Sequence, residues 1–113
     1  MYKLTVFIPE EALEQVKSAL FAAGAGTIGR YEQCCWQVKG TGQFMPLAGS
    51  NPHIGSHDKV ERVDEWRVEM VVDEAAIHKV IAALKQAHPY ETPAYDIIEV
   101  LDRDHPEFCV TAV

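Results

Sequence analysis

In Glu65-Trp66-Arg67-Val68-Glu69-Met70-Val71-Val72, the apolar Trp66, Val68, Met70 and Val72 alternate with Glu65, Arg67, Glu69 and Val71. A period of two is what an extended strand with one buried face requires, because successive side chains point to opposite sides of the sheet. The next residues switch period. Asp73 suits a helix N-cap, Glu74 adds charge to a first turn, and Ile77, Val80, Ile81 and Leu84 form a helical stripe that ends near His88-Pro89. Tyr95 to Leu101 is then rich in β-formers.

The same rhythm appears upstream. Leu4, Val6 and Ile8 alternate with Lys3, Thr5 and Phe7 up to Pro9, and Leu13, Val16, Leu20 and Phe21 recur at helical spacing from Glu10 to Gly24. Tyr31 to Lys39 reads as a second strand with Cys34, Trp36 and Val38 on its apolar face, broken by Gly40-Thr41-Gly42. A short edge strand is expected in the tail between Asp102 and Val113. The order βαββαβ, with right-handed crossovers, predicts an α+β ferredoxin-like domain over residues 1–113, a four-stranded antiparallel sheet with two helices on one face. The other face is then uncovered, and would carry Lys3, Thr5, Phe7, Cys35, Gln37, Glu65, Arg67 and Glu69.

Bulk properties narrow the function. A hydrophobic content of 48% with 24% charged residues is that of a folding globular chain. Seventeen acidic against ten basic side chains give a net charge of −7, with no Lys/Arg cluster, so nucleic acid and anionic membranes are excluded as expected partners. The N-terminus reads as a strand instead of a leader peptide and no apolar run approaches a membrane span, which predicts a cytoplasmic protein. Three cysteines, Cys34, Cys35 and Cys109, lack paired spacing and are expected to be reduced.

Three motifs bear on chemistry. Gly24-Ala25-Gly26-Thr27-Ile28-Gly29 matches the dinucleotide fingerprint in letters, but it follows a helix and precedes a strand, the reverse of the order that fingerprint needs. A helix end and turn explain these glycines. His88-Pro89-Tyr90-Glu91-Thr92-Pro93-Ala94-Tyr95-Asp96 concentrates imidazole, carboxylate and phenol groups at the end of a helix. Two readings of it stand side by side: His88 and Glu91 as ligands of a divalent ion, or a proline-stiffened turn whose histidine serves the helix terminus. His53 and His57 lie four apart, a spacing that aligns ligands only on a helix, in a loop over residues 43–58 with Pro46, Gly49, Asn51, Pro52 and Gly55; they read as surface loop histidines, with the alternative that the loop folds both onto one ion. No nucleophile with an adjacent base is visible, which leaves little basis for an enzyme.

Gly24-Ala25-Gly26 through Ile28-Gly29, Tyr31 and Cys34, then Gly40, Gly42, Phe44 and Pro46, then Asn51-Pro52, Ile54-Gly55, Glu61, Val63, Glu65 and Glu69 resemble the small inserted domain of the YqfO branch of the Nif-three-like proteins. His88-Pro89-Tyr90-Glu91 with Pro93 is similar to a segment of the CutA divalent-cation-tolerance proteins. The resemblance implies a free-standing CutA-like or PII-like domain that forms trimers. It does not imply the dinuclear metal centre of the flanking lobes of the larger proteins, nor a hydrolase or GTP-cyclohydrolase activity.

The expected function is thus a non-enzymatic oligomeric binding or regulatory module, holding a divalent metal ion or small metabolite at subunit clefts lined by residues 40–58 and 88–96. The expected metal ligands are His88, Glu91, His53 and His57, and the expected ligand contacts are Tyr90, Tyr95 and Asp96. Self-association as a homotrimer is expected, with room for a protein partner. A structural or adaptor domain without ligand and a small metal-dependent hydrolase are the alternatives.

Overall fold

The computed structural model describes residues 1–101 and 105–108. Its strands are β1 (Tyr2–Pro9), β2 (Trp36–Phe44), β3 (Glu61–Val72) and β4 (Tyr95–Glu99), and its helices are α1 (Leu13–Ala22) and α2 (Ile77–Ala87), each entered through a short 3-10 turn. The strands form one antiparallel sheet in the order β2-β3-β1-β4, the ferredoxin-like arrangement the alternation predicts. No described helix is long and apolar enough to cross a membrane.

One face of the sheet carries the core. Leu4, Val6 and Ile8 of β1 and Val68, Met70 and Val72 of β3 meet Val16 and Leu20 of α1 and Val80 and Leu84 of α2 in one buried cluster. Each such aliphatic side chain contributes about 1.5–3 kcal/mol when removed from water. Both helices therefore lie on the same side. Asp73 does not cap α2 with its side chain, as its sequence position suggests; its backbone carbonyl accepts from Ala76 N at 2.9 Å, so the 3-10 turn supplies the cap.

The glycine-rich turn after α1 behaves as a helix end. Ala25 N donates to Leu20 O, and Gly26, at φ +80°, donates its N–H to Val71 O at 2.8 Å. A Cβ at Gly26 would meet the Cys34 carbonyl and the Phe21 ring, both inside 3 Å, so this position needs glycine twice over. Cys34 and Cys35 are free thiols in the segment before β2, not within it as expected, and Cys109 is outside the described residues.

Strand β2 departs most from its sequence reading. It starts at Trp36 and runs through Gly40-Thr41-Gly42 to Phe44, instead of ending before them. The reason is tertiary: β3 is twelve residues long and supplies pairing partners out to Glu61, so the ladder holds glycines that local propensity would release. The face assignment also reverses. Trp36 and Val38 stand opposite Glu69 and Arg67 on the open side, whereas Gln37 stands opposite buried Val68. Trp36 is 61% exposed and Val38 43%. The open face thus carries Trp36 and Val38 where Cys35 and Gln37 were expected, around an ion triad in which Glu69 meets Lys3 at 3.0 Å and Arg67 at 2.7 Å.

Because β1 pairs with β3 only from Glu65 onward, the far end of the β2–β3 hairpin extends beyond the sheet, carrying the 45–60 loop. The edge strand expected in the tail falls largely outside the described residues, and Pro106–Phe108 form a 3-10 turn.

Candidate functional site

The projecting loop folds back toward the turn that follows α2. His88 ends that helix, its N–H closing on Leu84 O at 2.9 Å, and takes extended backbone angles as a residue before proline must. The residue is 5% exposed. Nε2 donates to the Phe7 carbonyl at 2.7 Å, and Nδ1 accepts from Tyr90 N–H at 3.1 Å. Both ring nitrogens are spent on backbone, which ties α2 to β1 and orients Tyr90. Those two bonds need the neutral Nε2–H form. Burial holds the His88 pKa below the ordinary histidine value, against the upward pull of the Phe7 carbonyl.

The Tyr90 ring packs against His88 at a tilt of 56° with ring centres 4.9 Å apart, and lies 6.0 Å from Phe44 and 6.2 Å from His53. Its phenol donates to Glu65 Oε2 at 2.9 Å. Burial, then the hydrogen bond to Glu65, pushes the phenol above its ordinary value, so it stays protonated at neutral pH. Glu91 Oε2 accepts from Asn51 N–H at 3.1 Å and pins the loop to the turn. The loop braces itself: His57 Nε2 lies 2.9 Å from Ser50 O, and Asp58 N–H donates to Pro46 O at 2.7 Å.

Between these parts is a cleft of about 380 Å³, walled by residues 43–47, 50 and 52–54 on one side, 90–92 and 94 on the other, and Glu65 below. That is within the range of small-molecule sites. Tyr90, Glu91 and His53 line it. Tyr95 and Asp96 do not: as β4 residues, Tyr95 packs on the core and Asp96 pairs opposite Thr5. The four expected metal ligands do not converge either. His88 is spent on backbone, His57 holds Ser50, and among the described residues no group of three or more His, Cys, Asp or Glu side chains is placed to hold a metal ion. Within one chain the donor set does not fit a divalent ion.

Two lining residues, Glu65 and Phe44, enter the sequence reading only among the positions of the family resemblance, Glu65 on a strand and Phe44 in the 43–58 loop, and nothing in their spacing marks them as a site. Glu65 reads as a solvated strand position, and only the register of β3 against β1 sets it beneath the turn of Tyr90. Gly42 belongs with it, because the Glu65 carboxylate lies over Gly42 where a Cβ would otherwise stand.

No family model matches the chain. It is 50% identical over 99 residues to a Mycobacterium bovis protein named GTP cyclohydrolase 1 type 2 homolog, which covers 88% of this chain and 26% of that protein. A Bacillus cereus protein related to NIF3 matches in structure with a TM-score of 0.73 at 42% identity, over 85% of this chain and 24% of that one. CutA1 from Pyrococcus horikoshii shares the fold over 96% of this chain and 93% of its own, with a TM-score of 0.65 at 18% identity. The chain spans about a quarter of the length of the curated relatives it matches.

Proposed function

We propose, from the premise that this chain carries the sequence of one segment of the NIF3-related proteins on the fold of CutA, that it is a self-associating, non-enzymatic binding module working in the cytoplasm. The observation that carries this reading is the cleft, in which two segments distant in sequence close around an aromatic and acidic lining while His88 serves as the structural pin behind it. Ligand occupancy there is a means of regulating a protein partner through the projecting loop.

Self-association is supported by the open sheet face. Trp36, Val38 and Ile98 are all more than two-fifths exposed, which is unusual for large apolar side chains gathered on one side of a small sheet. Packing that face against copies of itself removes it from water, and a closed ring satisfies every copy equally. The resemblance to CutA and PII-like domains implies three.

The name of the larger relatives is not a guide to the ligand of this segment. Tyr90, the one hydroxyl aimed at a carboxylate in the cleft, stays protonated and is no base at neutral pH. The cleft lining contains neither lysine nor arginine, so it has no cation to hold a triphosphate.

A structural adaptor without ligand is the second reading, favoured by the full use of His88 in backbone hydrogen bonds. Native mass spectrometry of protein purified without chelator separates the two. A trimer with stoichiometric extra mass supports the binding module; a bare trimer favours the adaptor; a bare monomer overturns both.

A further inference from the structure

We infer that the cleft takes a small organic cation, an amine or guanidinium carried on a flat apolar body; this rests on the reading of the cleft as a ligand site. The walls supply the first half of the argument. Phe44, His53 and Tyr90 present three rings with centres 6.0 and 6.2 Å from Tyr90, and Pro46 and Leu47 add aliphatic surface. Such a lining favours a planar apolar body, and ring faces attract a cation lodged within about 6 Å of them.

The charges supply the second half. Glu65 and Glu91 both line the cleft, and among the described residues neither has a Lys, Arg or His within salt-bridge distance. Their hydrogen-bond partners, the Tyr90 phenol and the Asn51 amide, are neutral. Glu69, half-buried on the same strand, is by contrast paired with both Lys3 and Arg67. A half-buried carboxylate fixed by a phenol and left without a counterion beside an apolar cavity is complementary to a positive group arriving with its own apolar body. An anion entering the same space would meet two carboxylates and no cation.

The test is a titration of the uniformly ¹⁵N-labelled protein at pH 7 with benzylamine, benzyl alcohol and benzoate, following amide shifts of residues 43–54 and 90–94. The expected result is that benzylamine binds at those amides about tenfold tighter than benzyl alcohol. Glu65→Gln should abolish the preference, and Tyr90→Phe, which retains the carboxylate, should keep it. Equal or tighter binding of benzyl alcohol or benzoate at those amides overturns the cation class and leaves the cleft as a ligand site. Absence of shifts there with all three probes at millimolar concentration overturns the cleft reading and the cation with it.

Discussion

The Tyr90 phenol reaches across the base of the cleft to Glu65 Oε2 at 2.9 Å, and so joins the turn that leaves α2 to β3, from which it is separated by 25 residues of chain. The bond does two things. It fixes the aromatic wall of the cleft, and it gives Glu65 a donor where no cation stands. Removing the oxygen therefore exposes a measurable dependence: Tyr90→Phe should lower stability by about 1 kcal/mol, the usual net worth of one intramolecular hydrogen bond. Thermal unfolding followed by circular dichroism measures it, and an unchanged midpoint would show that Glu65 finds water as good a partner.

The pairing of His88 predicts acid sensitivity. An unfolded histidine titrates near pH 6.5, and burial holds His88 below that value in the fold. On acidification the unfolded chain takes up this proton before the folded one does, so the stability His88 provides is complete above about pH 6.5 and declines as pH falls through the folded value. Protonation also places an Nδ1–H against the Tyr90 N–H, two donors face to face. Urea midpoints compared at pH 7.5 and 5.5 should fall on acidification in the parent protein and fall less in His88→Asn, which cannot titrate. Parallel declines in the two proteins would exclude this histidine as the source.

Two glycines should respond differently to alanine. At Gly26 the new methyl meets a backbone carbonyl and a ring, at a positive φ, and neither neighbour can swing away. Gly26→Ala should destabilise the fold by about 1–3 kcal/mol. At Gly42 the obstruction is the end of the flexible Glu65 side chain. Gly42→Ala should leave the core intact but move the Glu65 carboxylate off its place, so that its Tyr90 bond weakens. Chemical denaturation reads the first effect, and amide shifts confined to residues 43–54 and 90–94 read the second; a global loss of stability in Gly42→Ala would contradict this.

The open face predicts an assembly phenotype. Trp36 is 61% exposed in the single chain, so Trp36→Ser removes little from the folded monomer. Paired with Val38→Lys, it places a charge on the sheet face that copies must share. The double variant should keep its far-ultraviolet spectrum and shift to monomer in light scattering at micromolar concentration. An unaltered oligomer would move the interface away from this face.

Legibility differed by element. Strands β1 and β3 and both helices follow from periodicity, because each buries one face against the same core and its apolar residues recur at the spacing of that face. Strand β2 departs from its local pattern in both position and facing. Its Gly40-Thr41-Gly42 reads locally as a break, and its apolar residues read as a core face, when β3 supplies the ladder and the apolar side turns to the open surface. Within the site, the cluster of reactive groups over residues 88–96 is legible in the sequence, and of it Tyr90 and Glu91 line the cleft together with the loop residue His53. His88 stood out equally, and its two hydrogen bonds belong to the scaffold.

The amino-acid sequence by itself determined the fold class, the acidic balance and the two loops that carry the chemistry, since these depend on local periodicity, composition and turn residues read over a few positions. Which groups share the cleft was decided only in three dimensions. Glu65 meets Tyr90, Glu91 meets Asn51 and Phe7 meets His88 through strand register and chain reversal, contacts spanning 25, 40 and 81 residues, and no local pattern encodes a pairing at that separation.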